Sequence, residues 1–322
     1  MPSYDTVSYW LSRELLKNRD LLSEIPCILN NVEERYCENT RQIKILGKHE
    51  NFDFVVREQG IYLTGSICKY FLNDNQQALS KGDTIRANEK LSDNTHLPID
   101  RATVLRVDIA GNFIVKQQED LYYDYLGILP RFKRDIKDNG LYYYNSQKSR
   151  KNASIELLFY GKKHEQIIKG TPVQPIIENN YYLRYEARFL KRLCRLFNMP
   201  EITGRTITED KFYIDIINKW KELYFTIQKN KITNFDLTAL DMKKPKEYLE
   251  YYTLFGIMQR GGEAEALKEI EILQKRGIFK RKQVHDIRKK INEICKMPLL
   301  TMEANEISEL DKDIKQAVKY YR

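Results

Sequence analysis

Over roughly the first 190 residues apolar and polar positions alternate with a period of two in short runs, the signature of strands with one buried face. Such runs predict strands at Thr6–Leu11, Gln42–Leu46, Phe52–Val56, Ile61–Ser66, Thr103–Val115, Gly140–Asn145, Ile155–Tyr160 and Tyr181–Phe189. Two helices interrupt them: Thr84–Leu91, capped by Asp83 or Thr84 and closed before Pro98, and the shorter Glu119–Leu126. After Pro200 the period becomes 3.6, with Phe212, Ile216, Trp220, Leu223, Tyr224 and Ile227 on one stripe. Helices follow at Lys246–Gln259, Glu263–Lys275 and Lys280–Lys296, parted by Gly261-Gly262 and Gly277, with a last amphipathic stretch from Glu303 to Tyr320. The pattern predicts an α+β chain: a strand-rich domain over 1–200 and a helical one over 201–322. No low-complexity linker parts the two, so they are expected to pack together.

The chain has 322 residues, 42% of them apolar, enough to bury a sizeable core. Its net charge of +9 favours polyanionic partners. Five scattered cysteines (Cys27, Cys37, Cys68, Cys194, Cys295) include no CxxC pair, which argues against a zinc site and for reduced thiols. The first residues lack a basic-then-apolar leader, and no apolar run approaches the roughly 20 residues that span a bilayer. A cytoplasmic protein with no membrane partner is expected. Twenty-two tyrosines gather in runs such as Tyr142-Tyr143-Tyr144. Tyrosine suits half-buried strands, and beside basic residues it also stacks on single-stranded DNA.

Candidate chemistry lies on the second faces of the strands. In Thr103–Val115, Leu105, Val107 and Ile109 point one way and Arg106 and Asp108 the other; in Tyr181–Phe189, Arg184, Glu186 and Arg188 oppose Leu183, Tyr185, Ala187 and Phe189. A carboxylate on a buried sheet face needs a cationic partner or a metal. Two carboxylate strands would suit Mg²⁺ or Mn²⁺, and the flanking arginines a phosphodiester. Between them, Tyr160 and Lys162 share the face opposite Ile155, Leu157 and Phe159; Lys162 could stabilise charge at a phosphate and Glu165 complete a metal site. Of the four histidines only His164 sits near a carboxylate of this set. The hairpin ending in Ser146-Gln147-Lys148 presents tyrosines, and a tyrosine hydroxyl activated by a base or cation can attack phosphate. A last candidate is the basic stretch from Lys275 to Lys290, with a net charge of +7. Its two helices around Gly277 outline a helix–turn–helix that could hold DNA, against the plainer alternative of a solvated charged face.

The order RVD…LYYYNSQKS…FYGKKHE…LRYEAR resembles the phage and plasmid replication proteins of the gene II/X family, related to the rolling-circle initiators, over roughly residues 5–230. The family pattern runs Arg-x-Asp, a tyrosine strand with a small polar turn, Tyr-Asp-Lys with a following Glu, then Arg-x-Glu-x-Arg. The resemblance implies an antiparallel-sheet nickase domain followed by a helical C-terminal domain. It also implies a metal-dependent enzyme that nicks one strand at an origin through a tyrosine, stays on the 5′-phosphate and leaves a 3′-hydroxyl. Its partner would be origin DNA, double-stranded and partly single-stranded, with a host polymerase and helicase acting alongside; an alternative is a non-catalytic DNA-binding or copy-control protein that keeps the fold. By position the resemblance makes Asp108, Glu186 and Glu165 metal ligands for Mg²⁺ or Mn²⁺. Tyr143 becomes the first choice of nucleophile, with Tyr142, Tyr144 and Tyr160 as alternatives, and Lys162 and Arg184 become catalytic cations. The DNA contacts expected are Arg106, Arg188, Lys148, Arg281, Lys282 and Arg288. Two positions depart from the pattern: Gly161 replaces the Asp of Tyr-Asp-Lys, and Asn112 stands where some plasmid initiators have a second acid.

Overall fold

The computed structural model describes the chain apart from residues 18, 39–41, 147–148, 169, 171–172, 174–177, 231, 234–243, 298–300, 303–304 and 320–322. The alternating runs pair into one ten-stranded sheet. In chain order its strands are β1 (Ser3–Ser12), β2 (Asn30–Cys37), β3 (Gln42–His49), β4 (Phe52–Arg57), β5 (Gly60–Ser66), β6 (Thr103–Val115), β7 (Lys133–Lys137), β8 (Gly140–Tyr144), β9 (Ile155–Gly161) and β10 (Tyr181–Phe189). Across the sheet they run β2-β3-β4-β5-β1-β6-β10-β9-β8-β7, each paired antiparallel with its neighbours.

The helices used below are α1 (Ile67–Leu72), α2 (Lys81–Thr95), α3 (Glu119–Tyr125), α4 (Lys162–Ile168), α5 (Asp210–Thr226), α6 (Pro245–Gln259), α7 (Gly262–Lys275), α8 (Arg281–Ile294) and α9 (Asn305–Lys319). One sheet face is apolar and forms the main core with α2, α5 and α9. There Phe159, Tyr185 and Trp220 make a column, with ring centroids 4.5 Å and 4.6 Å apart, and the Tyr185 hydroxyl donates to the Trp220 carbonyl. Gly111 leaves room for that column, since a Cβ there would stand 3.1 Å from the Trp220 ring. A second, smaller core joins α6, α7 and α8. The helices after residue 200 are thus divided: α5 and α9 belong to the sheet's core, and α6–α8 to their own.

Several details differ from the sequence reading, each for a local reason. Leu105 does not join Val107 and Ile109: a register shift between β1 and β6 places Val104 opposite Tyr9 and Arg106 opposite Ser8, so Val104 is buried and Leu105 exposed. Helix α2 starts three residues before Thr84 because Ser80 and Asp83 form a capping box, and it runs on to His96, whose backbone is left-handed. The alternation gave no sign of β2 or β7; both are sheet edges, and β2 buries none of its described side chains. Lys162 is not a strand residue but the first residue of α4. Cys27, Cys68, Cys194 and Cys295 are free thiols, and the Cys37 side chain lies outside the described residues. Among the described residues no helix is long and apolar enough to cross a membrane.

Candidate active site: a charged face on the central strands

The face of the sheet opposite the main core is polar where β1, β6, β10 and β9 meet. The strand register explains the gathering: Arg188 pairs across from Asp108 on β6 and from Glu156 on β9, and Arg184 from Asn112 and Tyr160. Cross-strand partners project to the same side, so alternation on four separate strands converges on one patch.

Its carboxylates are held by arginines. Both oxygens of Asp108 accept from Arg106, the Nε bond being 2.8 Å. Arg188 reaches three acids, donating to Glu186 at 2.6 Å and Glu156 at 3.2 Å, with Asp108 3.8 Å away. Arg150 donates to Glu156 from the loop before β9. Arg184 donates to Asp5 on β1 at 2.7 Å, to the Asn75 carbonyl at 2.9 Å and to Asn112 Oδ1 at 3.0 Å, and stands 3.6 Å from Glu186. At the end of β9, Lys162 donates to Asn75 Oδ1 and Glu165. Five acids (Asp5, Asp108, Glu156, Glu165, Glu186) thus meet five cations (Arg106, Arg150, Lys162, Arg184, Arg188), and the patch carries no net charge.

The cations form two layers. Arg184 is 3% exposed, with its neighbours Glu186 at 3% and Asp5 at 10%, whereas Arg106 and Arg188 keep 30% and 24% of their side chains open to solvent above an Asp108 that is fully covered. The outer arginines can therefore meet a phosphate, and the inner one holds the sheet together. Burial pushes the Asp5 carboxyl up, but Arg184, Ser66, Lys162 and Asn75 outweigh it and bring it to about 2. For Glu186 burial is likewise outweighed, by Arg188 and Arg184, so its carboxyl stays below the ordinary range. At Asp108 burial prevails over Arg106 and raises the carboxyl.

The tyrosines separate by face. Tyr160 shares the polar patch, its hydroxyl donating to Glu186 Oε2 at 3.2 Å. Burial raises its phenol well above the ordinary value, Arg184 opposes this, and Glu186 and Glu165 add to it. Tyr142 and Tyr144 lie on the same face of β8, Tyr142 under the Arg150 guanidinium at 4.2 Å. Tyr143, the first choice from the sequence, points the other way. It is 0% exposed, its hydroxyl lies 2.7 Å from the Leu126 carbonyl and 2.8 Å from that of Gly127, and its ring meets Phe159 edge-on. One residue of register puts it in the core with the sheet between it and Asp108.

The structure therefore brings together Arg106, Asp108, Lys162, Glu165, Arg184, Glu186 and Arg188, and leaves out Tyr143. Lys148 lies outside the described residues. Arg281, Lys282 and Arg288 sit on α8 with the second core, where Arg288 pairs with Glu271 at 2.6 Å. His164 is exposed and faces Asn139. The sequence reading missed Asp5, Glu156, Arg150 and Asn75. An acid inside the apolar run Ile155-Glu156-Leu157-Leu158 was a visible signal for one of them; Asp5 gave none, because the alternation of Val7, Tyr9 and Leu11 carried back would set it on the core face, and a register shift between Tyr4 and Val7 turns it to the patch.

As arranged, the acids do not fit a divalent cation. Among the described residues no group of three or more His, Cys, Asp or Glu is placed to hold a metal ion. The oxygens of Asp108 and Glu186 already accept from Arg106, Arg188 and Tyr160.

Gly161, where the likeness expects an acid, has its Cβ position 3.1–3.3 Å from the carboxyl group of Glu119, which accepts from the Tyr182 amide at 2.8 Å. Glu119 already fills the space beside this position. Gly161→Asp is expected to set two carboxylates against each other and cost about 1–3 kcal/mol in urea unfolding.

Lys162 carries a second measurable consequence. Burial, with Arg184 adding, lowers its ammonium to about 8 against the pull of Glu165 and Asp5. An unfolded lysine keeps its proton to about pH 10.4. Between those values the unfolded chain binds more protons, so stability rises with pH. Relative to Lys162→Met, the natural chain is expected to gain stability from pH 8 to about 10, read by urea titration at each pH.

The fold and site together are an antiparallel sheet whose polar face sets a tyrosine hydroxyl among matched acids and cations. Residues 30–222, well over half of the chain, match the family described as replication-associated protein G2P, N-terminal. The chain belongs to that family of phage replication-associated initiator proteins. No individual curated protein matches it.

Proposed function

We propose that this protein initiates rolling-circle replication by cleaving one strand of origin DNA with Tyr160. The observation that carries the reading is the Tyr160 hydroxyl set on Glu186 in a patch whose outer arginines reach solvent. Membership of a replication-associated family supports DNA as the substrate.

In the reaction the Tyr160 oxygen bonds to phosphorus and the phosphorus–O3′ bond breaks. The phenol proton passes to Glu186 Oε2, and the O3′ leaves as a hydroxyl after taking a proton from solvent. The strand's 5′-phosphate stays on Tyr160. Arg184 is the cation that favours the phenolate. Arg106 and Arg188 exchange part of their carboxylate pairing for the phosphate, a like-for-like replacement of one bidentate anion by another. A host polymerase would extend the freed 3′-hydroxyl while a helicase opens the duplex in the cytoplasm.

Mg²⁺ or Mn²⁺ enters this proposal as a condition of the experiment. A pool of single-stranded oligonucleotides labelled at the 3′ end is incubated with the protein, with either metal or with EDTA. A labelled covalent adduct whose tryptic peptide carries the nucleotide on Tyr160 is the expected result. One specific observation favours a binding-only reading: every acid of the patch is already paired with a cation. Retained oligonucleotide binding with no adduct in any metal would select that reading and sink the nickase.

A further inference from the structure

The polar patch is electrically balanced, so the net charge of +9 must reside elsewhere, and +7 of it falls between Lys275 and Lys290. These residues lie beyond the stretch that matches the replication family. They belong to α7, α8 and the connection between them, and α6, α7 and α8 pack on their own core of Leu254, Ile257, Ile270, Val284, Ile291 and Ile294. Arg134 on β7 ties this unit to the sheet through Glu265 at 2.8 Å.

The connection from α7 to α8 is five residues long and turns at Gly277, whose φ of +74° is a left-handed conformation that side chains resist. Helix α8 buries Val284, Ile291 and Ile294 and leaves Arg281, Lys282, His285 and Lys289 exposed. The acids of the neighbouring helix leave most of these cations uncompensated. Glu265 is taken by Arg134 and Lys268 and Glu269 by Arg260, so that of these three acids only Glu271 reaches α8, where it pairs with Arg288. Among the described residues no carboxylate lies within ion-pair distance of Arg281, Lys282 or Lys289. A short turn, a separate core and an uncompensated row on the second helix are the parts of a helix–turn–helix.

We propose that α7 and α8 form a helix–turn–helix that seats α8 in the major groove of double-stranded DNA. Arg281, Lys282 and His285, at its N-terminal end, would face base edges, and Lys289 the phosphates. This deepens the reading above by placing duplex recognition on a part of the chain separate from strand cleavage.

The test uses the full chain carrying both Lys282→Glu and Lys289→Glu, with Lys282→Gln/Lys289→Gln as a milder pair, each checked by its melting profile. Binding to a mixed-sequence duplex of 30 base pairs is followed by fluorescence anisotropy over a range of salt. The charge-reversed protein is expected to bind about 10- to 30-fold more weakly near physiological salt, with a salt slope shallower by about 2. The neutral pair should show a smaller loss in the same direction. Unchanged duplex affinity in both pairs would overturn the proposal. So would an equal loss of single-strand and duplex binding, which would make α8 a general polyanion surface. If neither natural nor altered protein forms an adduct, the nickase fails while the duplex result still stands.

Discussion

Tyr160→Phe is expected to abolish the covalent DNA adduct, lowering single-strand cleavage on the order of 10³-fold or more, because the step loses its nucleophile. The change removes one oxygen, whose hydrogen bond to Glu186 contributes about 1 kcal/mol, so the variant should fold and still bind oligonucleotide. Tyr143→Phe is the informative contrast. Its hydroxyl serves the carbonyls of Leu126 and Gly127 inside the core, so its loss should cost about 1–2 kcal/mol of stability and leave cleavage intact. The two variants thus exchange their effects, one losing chemistry and the other stability. An adduct that survives in Tyr160→Phe and vanishes in Tyr142→Phe or Tyr144→Phe would place the nucleophile on β8, whose side chains at those positions share the patch.

The second large effect concerns Arg184. It is the cation common to Asp5 and Glu186 and is almost fully buried. Arg184→Met would leave those carboxylates with an uncompensated share of charge in a low-dielectric layer, a change worth about 3–5 kcal/mol of stability. Urea unfolding at neutral pH measures it. The loss should shrink when Asp5→Asn is added, because the double variant removes both members of the pair. It should also shrink in acid. An unfolded aspartate titrates near 3.9 and folded Asp5 near 2, so the stability from this pair is complete above pH 4 and disappears as pH falls towards 2. The variant has none of that contribution to lose, and the two unfolding curves should approach each other over that interval. A natural chain and an Arg184→Met variant of equal stability would show that Asp5 and Glu186 do not depend on this arginine.

Much of the polar patch was legible because it repeats a simple anomaly. Arg106-x-Asp108 and Arg184-x-Glu186-x-Arg188 are charged residues at every second position of otherwise apolar strands, and such positions must meet on one face wherever the strands are neighbours. Glu156 carries the same mark more faintly, a single acid in an apolar run, whereas Asp5 stands among Ser3, Tyr4 and Thr6 and reaches the patch through a register shift that no local pattern announces. Tyr143 shows where the pattern stops informing. In Tyr142-Tyr143-Tyr144 every position is aromatic, so nothing in the run says which residue faces the core. Only pairing with β9, where Tyr143 stands opposite Leu157 and Tyr142 opposite Leu158, settles the side. Asn75 was out of reach for another reason. It lies in the loop after α1 and joins the patch through contacts with Lys162 and Arg184, 87 and 109 residues away.

By itself the sequence determined the α+β class, most of the central strands, the helices after residue 200 and the concentration of charge around α8. These follow from local periodicity and composition, which are properties of neighbours in the chain. Tertiary structure alone decided that the acids of the patch are matched one for one by cations, that Tyr160 rather than Tyr143 shares their face, and that α5 and α9 belong to the sheet's core. The first two depend on register between strands distant in sequence, and the third on which helices pack across the sheet. A shift of one residue moves every side chain of a strand to the other face, and local periodicity carries no information about it.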